Sequence, residues 1–482
     1  MQKRVGRKGS ITDLVESAKQ YPFLCLGFAL YWIWFIVTIQ GPIRFPYQII
    51  LDFPMPSWCP MLVIGALSFF ALSCWHDRFQ AMGKRTTYQK ISCGIMFGGL
   101  FLSTIWVAVP LSYPTEIVVY TAGFVLMGIG ASAVLVEFFR YYEKLGATTI
   151  LLHGVLAMLA ATCYQFVFAY FNFADLNMFI NPWFPVLIYV CFRKTAPKLD
   201  HKLPFEQQSD SDSLVSSKLL ITAFVQGLAF GIGLGILLYW EHEFAQPRII
   251  GSLCAGAASV LLFFTALKFK ADFTHMIYLV GFPLMALGFL LMACSDHLLA
   301  LGNAVQAIGS CYQYIVIISL FVYLAKVCGL PVSLVSGRGM ACLYIGQVFG
   351  GCLGSALASF APTTLSFSAI ASVMCALLLV SSLYISNSGR IEQGWEGVRP
   401  AAIDSDVDSL EERARRVAME VGLTPREADI LLLAAQGRNR QYIGAKLCIS
   451  TETVKTHMRN IYQKTGVHSL QEIIDLVQEK QL

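Results

Sequence analysis

Charge is scarce in this sequence. Lys, Arg, Asp and Glu make up 13% of its 482 residues, while apolar types make up 56%. Soluble globular domains hold about a quarter of their residues as charges, so a single water-soluble domain is excluded. Other absences narrow the function. The 14 cysteines contain no Cys-x-x-Cys pair and no zinc spacing. All but Cys448 are scattered through the apolar part of the chain, where a thiol serves as a small apolar side chain. No metal site is expected. Nucleophile–base sets, glycine-rich phosphate loops and paired carboxylates do not stand out, so neither an enzyme nor a bound cofactor is expected.

What is present is a series of long apolar runs. Twelve are long enough to cross a bilayer, at about 21–40, 58–75, 91–109, 117–137, 149–171, 176–192, 219–240, 249–267, 276–294, 303–325, 341–360 and 365–385. The sixth is interrupted by Asn177, Asn181, Pro182 and Pro185. Residues 1–20 are basic, through Lys3, Arg4, Arg7, Lys8 and Lys19. The run from Pro22 to Ile39 lacks a small-residue cleavage site, so it reads as a retained first span and not a signal peptide. With the N-terminus in the cytoplasm, the inner loops and tail hold 20 Lys and Arg, the outer loops two (Arg44 and Arg248), and 13 follow residue 385. That asymmetry is the positive-inside pattern. A polar connector, 193–218, with Ser209-Asp210-Ser211-Asp212-Ser213, divides the membrane domain 21–385 into halves 21–192 and 219–385. The fold expected is all-α, a bundle of 6+6 transmembrane helices followed by a small helical domain.

The spans contain no Lys or Arg, and Glu116, Glu137 and Asp175 lie at their ends. No proton relay is visible. Neutral polar and aromatic groups are plentiful instead. His153, Gln165, Gln226, Gln313, Tyr314 and Gln347 are candidate ligand-binding residues. Stacking and a few hydrogen bonds from such a set suit a neutral or aromatic small molecule. The competing reading makes them interhelical glue. Glycine is dense in the seventh and eleventh runs, which predicts close helix packing there.

A polar linker, 386–422, follows, with a capping box at Ser409–Glu412 opening a short helix toward Glu420. From Leu423 the pattern becomes that of a compact helical domain, 423–482. Thr424-Pro425-Arg426-Glu427 is a capping box with Pro at the first helical position. Its helix carries Ile430, Leu431, Leu433 and Ala434 on one face and stops at Gly437. Asn439 can cap a second helix, with Ile443 and Leu447 inward, and Ser450 a third, with Val454, Met458, Ile461 and Thr465 inward. Lys455, Thr456, Arg459 and Lys464 are left facing outward. Two helices, a tight turn and a basic third helix describe a helix-turn-helix. Ser469-Leu470-Gln471-Glu472 opens a fourth helix with Leu470, Ile473, Ile474 and Val477.

The residues LTPRE, the Gly437 turn, Ile449-Ser450 and TVKTHMRNIYQK resemble the DNA-binding domain of LuxR-type transcriptional regulators. The resemblance implies that Lys455, Thr456 and Arg459 approach base edges, with Thr453, His457, Asn460 and Lys464 near phosphates. It also implies double-stranded DNA as partner and a homodimer formed through the fourth helix. Two places depart from the family: Arg440-Gln441-Tyr442 replaces its usual Asn-Lys-Glu, and Leu470 its usual Arg. The six-plus-six layout resembles the major facilitator superfamily. Asp77-Arg78 and Gly83-Lys84-Arg85 form a degenerate version of its Asp-Arg-x-Gly-Arg-Lys signature, with four residues between Arg78 and Gly83 instead of one. No α/β receiver region precedes the DNA-binding domain. The expectation is a multi-pass regulator in a bacterial inner membrane, surrounded by lipid, with both termini cytoplasmic, that senses a small molecule. A facilitator-like transporter with a regulatory DNA-binding tail is the alternative.

Overall fold

The computed structural model describes residues 18–40, 58–76, 85–108, 112–145, 147–171, 179–199, 217–239, 247–269, 271–328, 330–360, 364–386, 417–435 and 449–479, with single residues between them. The Ser209–Ser213 run, the Ser409 box, Gly437, Asn439 and Cys448 lie outside the described residues. The chain divides into two compact units, meeting between Pro400 and Ala401.

The first unit contains twelve helices among its described residues: α1 (Pro22–Gln40), α2 (Cys59–Cys74), α3 (Arg85–Ala108), α4 (Tyr113–Leu145), α5 (Ala147–Tyr170), α6 (Phe184–Leu199), α7 (Ser217–Tyr239), α8 (Pro247–Leu262), α9 (Phe282–Cys294), α10 (Leu299–Cys328), α11 (Val332–Phe360) and α12 (Thr364–Ser386). Apolar surroundings offer the backbone no partners, so an apolar run in lipid closes its own hydrogen bonds as a helix. Among the described residues seven stretches are long and apolar enough to span a bilayer outright. The protein is a multi-pass membrane protein. The apolar windows of α10 and α1 are 89% and 78% buried, which makes them the central helices. The window His275–Cys294 is only 50% buried and turns Leu279, Leu287 and Leu290 outward.

Each six-helix half repeats one layout. In the first half α1 packs on α5, and α3 on α4 and α6. In the second α7 packs on α11, and α9 on α10 and α12. The halves meet chiefly where α2 packs on α11 and α5 on α8, and α10 and α11 also touch α4. The α7–α11 pair is the tightest, because glycines at four-residue spacing let the two backbones touch. A Cβ at Gly231 would stand 2.2 Å from the Gln347 carbonyl oxygen, and one at Gly350 2.2 Å from that of Leu228. Gly227 and Gly235 extend one row, Gly346 and Gly354 the other, so each helix presents a ladder to its partner.

Several helices run past the apolar stretches that define them in the sequence. α3 begins at Arg85 and α4 continues to Leu145. The extension holds because its polar groups satisfy one another. Glu137, fully buried, accepts from Arg85 Nε at 2.7 Å and from Gln89 Nε2 at 2.7 Å. The Arg85 guanidinium also lies 4.1 Å above the Tyr141 ring.

The second unit is built around one core of Ile430, Leu431, Ala434, Ile443, Val454, Met458, Ile461, Ile473 and Val477. Its helices are α13 (Pro425–Ala435), α14 (Thr451–Thr465) and α15 (Leu470–Glu479), with Ile443 and Gly444 in helical conformation between the first two. Ala414, Val417 and Ala418, from the stretch before α13, join the same core. That stretch is therefore part of the folded unit and not only a spacer. It ends at Gly422, whose φ of 63° is the left-handed conformation that closes a helix, with Leu423 N–H donating to the Ala418 carbonyl at 2.8 Å.

Candidate DNA interface and ligand site

The caps of the second unit set the angle of α14. Thr424 and Glu427 form both bonds of a capping box: Glu427 N–H donates to Thr424 Oγ1 at 3.3 Å, and Thr424 N–H to Glu427 Oε2 at 2.9 Å. Ser450 caps α14 by accepting from Thr453 N–H at 3.1 Å, and Gly466, at φ 75°, closes it. A cap of this kind contributes about 1 kcal/mol. At the start of α15 Glu472 N–H donates to Ser469 Oγ, but the carboxylate reaches back to His468 N–H at 2.9 Å, one residue earlier than the sequence pattern implies.

Val454, Met458 and Ile461 of α14 face the core and are at most 2% exposed. On the opposite side Thr453, Lys455, Thr456 and Arg459 are exposed, and His457 and Asn460 are half-buried. Lys455 and Arg459 stand one turn apart on one line. Lys455 makes an exposed pair with Glu452 at 3.3 Å, weak enough to exchange for a phosphate or base. Among the described residues Arg459 has no intramolecular partner. His457 Nδ1 is buried and also lacks one.

Lys464 behaves differently. Five residues beyond Arg459, it points roughly 140° around the helix axis. Its ammonium donates to Glu427 Oε2 at 2.7 Å and to the Gly422 carbonyl at 3.2 Å. It ties α14 to the start of α13, so a phosphate contact there would compete with a carboxylate already in place. These bonds, with the Thr424 N–H, pull the Glu427 carboxyl from 4.5 down to about 2. Sequence spacing did not reveal the tie, because its partners are separated by 37 residues.

Residues 421–477 match the bacterial regulatory proteins of the luxR family. The chain belongs to the luxR family. YgeK of Escherichia coli (strain K12), described as an uncharacterized response regulatory protein, is 32% identical over 110 residues, 19% of this chain and 75% of YgeK. The HTH-type transcriptional regulator MalT of Serratia proteamaculans (strain 568) is 40% identical over 57 residues, which are 12% of this chain and only 6% of MalT. This luxR-type domain is a DNA-binding helix-turn-helix, and neither it nor the membrane fold belongs to an enzyme family. The membrane unit resembles solved transporters. The human organic anion transporter MFSD10 (TETRAN) superposes with a TM-score of 0.52 at 13% identity, covering 77% of this chain and 99% of that one. The major facilitator proton:xylose symporter XylE gives 0.54 at 13% identity, covering 78% and 95%. A bacterial ferroportin homologue gives 0.55 at 14%, covering 77% and 99%. At such identities the shared property is the fold, a major-facilitator-type bundle.

Within that bundle the six candidate ligand residues are all buried, but they do not form one group. His153, on α5, accepts or donates through Nδ1 to the Tyr142 hydroxyl at 2.9 Å. Gln226 Nε2 donates to the Ser310 carbonyl at 3.1 Å, which is interhelical bonding. Gln165 is on α5, near its end. Gln313 approaches the backbone at Gly281, just before α9, so closely that a Cβ there would meet its Oε1 at 1.8 Å, and neither of its amide atoms has a hydrogen-bond partner among the described residues. Tyr314 and Gln347 do come together: the Tyr314 hydroxyl lies beside Gln347 and Tyr344 without a satisfied hydrogen bond. Around them stand residues absent from the candidate set, Trp32 at 5.2 Å and Phe35 at 5.9 Å from the Tyr314 ring, and Phe230 at 6.3 Å. The signal for them was the aromatic density of Tyr31-Trp32-Ile33-Trp34-Phe35 on the central α1. The cavity at this place is lined by Trp32, Phe35, Met158, Phe230, Cys311 and Tyr314, among others, and encloses about 20 Å³ of water-accessible volume. That is room for roughly one water.

Proposed function

We propose that this luxR-family protein is a one-component transcriptional regulator embedded in a bacterial inner membrane, with both termini in the cytoplasm. A small neutral or aromatic molecule binds between the two six-helix halves and shifts their equilibrium. That shift changes how α14 is presented to operator DNA, or whether two chains pair through α15 on two half-sites. The observation that carries this reading is a single chain in which a luxR-type recognition helix with an exposed basic face follows a transporter-type bundle. A ligand acts only through different affinities for the two arrangements. Lys455, Thr456 and Arg459 read bases, while Thr453, His457 and Asn460 hold phosphates, with Lys464 joining them only when its Glu427 bond opens.

A genome-wide crosslinking map of the intact protein in its own cell tests this. A few sharp sites beside one gene cluster are expected, and their occupancy changes when the ligand is supplied. Diffuse signal with and without candidate ligands overturns the regulatory reading. The likeness of the bundle to transporters favours one second reading, a facilitator with a regulatory tail. Uptake into sealed vesicles independent of DNA binding would establish it.

A further inference from the structure

Buried polar groups in a finished core carry partners, because an unpaired donor or acceptor costs free energy in an apolar interior. Where α1, α10 and α11 meet, this rule is broken repeatedly. Among the described residues the Trp32 indole N–H and both amide atoms of Gln347 are buried without a full hydrogen bond, and the Tyr31 and Tyr314 hydroxyls have only Tyr344 and Gln347 beside them. Trp32 and Tyr314 also wall the cavity described above, with Phe35, Met158 and Phe230. The helices come from both halves: α1 from the first, α10 and α11 from the second.

Resting on the sensor reading, we propose that this cluster is the receptor site, and that its ligand is an uncharged, flat ring compound bearing carbonyl, lactone or hydroxyl oxygens. Each element of that class follows from a side chain. Aromatic walls on several sides favour a planar body. An indole N–H is donor-only, so Trp32 demands an acceptor oxygen, whereas Tyr314 and Gln347 both donate and accept. No Lys, Arg, Asp or Glu lines the cavity, so a charged ligand would enter without a counter-ion and at a large desolvation cost. The cavity as it stands holds about 20 Å³, less than any ring. Binding therefore separates α1 from α10, which are in different halves, and the ligand reports on the relation between the halves.

The test uses the full-length protein in nanodiscs without DNA, with coumarin, chromone and 4-hydroxyacetophenone as probes and coumarin-3-carboxylate as the charged counterpart. Tryptophan fluorescence and thermal unfolding are followed through each titration. At least one neutral probe is expected to bind saturably, the carboxylate at least tenfold more weakly, and Trp32→Phe and Tyr314→Phe each to weaken binding fivefold or more. Trp75→Phe, an exposed tryptophan at the end of α2, is the control for folding and fluorescence and leaves binding unchanged. The proposal is overturned if no neutral probe binds, if the carboxylate binds as well, or if Trp32→Phe and Tyr314→Phe bind as the native protein does. A probe that binds while operator occupancy stays constant removes the regulatory reading and leaves the site. Occupancy that responds to a compound indifferent to both variants does the reverse.

Discussion

Glu427 and Gln347 are both polar side chains buried almost completely, 3% and 1% exposed. Glu427 sits in the DNA-binding unit with two donors on its carboxylate, Lys464 Nζ at 2.7 Å and the Thr424 N–H at 2.9 Å, while its own backbone N–H donates to Thr424 Oγ1. Gln347 sits in the membrane unit with neither amide atom fully hydrogen-bonded among the described residues. The DNA-binding unit is a completed object, in which the polar groups left available are on the surface, at Thr453, Lys455 and Arg459. The membrane unit, the second of the pair, keeps available groups inside. What differs is where each unit expects its partner: DNA from the outside, and, in the proposed reading, a small molecule from within.

The comparison breaks most visibly if Glu427 is removed. Glu427→Ala leaves Lys464 with only the Gly422 carbonyl and opens the cap of α13. A loss of about 2–4 kcal/mol in the stability of this unit is expected, read as faster hydrogen exchange in peptides from 421–477 of the intact protein. Acid acts on the same carboxylate. Its folded value is below its unfolded one, so its contribution is complete above about 4.5 and fades as the pH falls toward about 2. In Glu427→Gln that pH dependence should vanish. Unchanged acid sensitivity would mean that another carboxylate governs it.

On the surface the expected effect is on DNA alone. Arg459→Ala should cost about 1–3 kcal/mol of specific operator binding and relax preference at one base position, with no change in exchange rates, since Arg459 has no partner among the described residues. Lys464→Ala should do the opposite, lowering the stability of the unit by about 1–2 kcal/mol before any effect on affinity appears. If instead Lys464→Ala spares stability and reduces the salt dependence of binding, its ammonium leaves Glu427 for a phosphate on the operator.

Much of this was legible in the chain. Apolar length places most of α1 to α12 because lipid allows the backbone no other solution, although α6 begins only at Phe184, after Asn181 and Pro182, and runs to Leu199 beyond the expected 176–192. The box at Thr424 and the cap at Ser450 place α13 and α14 because caps are local chemistry. The inward stripe Val454, Met458, Ile461 is likewise a matter of helical period. What escaped is non-local. Lys464 was grouped with the outward cations, since nothing in its surroundings names Glu427 as partner. α3 and α4 run beyond their apolar segments because Arg85 and Glu137, 52 residues apart, neutralise each other. The six polar candidates of the membrane unit looked alike in sequence, yet among the described residues His153 is bonded to Tyr142 and Gln226 donates between helices, whereas neither amide atom of Gln313 or of Gln347 has a full hydrogen bond. Residue type indicates which groups need partners, but only the packing tells which of them have one.

The smallest expected change is also the sharpest test of the comparison. Gln347→Leu keeps nearly the same volume and removes two buried atoms that have no partner. In a core whose polar groups are bonded, such a change costs stability; here it removes an unsatisfied group, and the membrane unit should unfold at the same temperature or slightly higher, a difference within about 1 kcal/mol. The response to a neutral ring probe should weaken in the same variant, since Gln347 neighbours Tyr314. Stability unchanged with the response lost would assign the amide to a ligand. A loss of about 2 kcal/mol or more would instead show that Gln347 already has a structural partner, and the contrast with Glu427 would disappear.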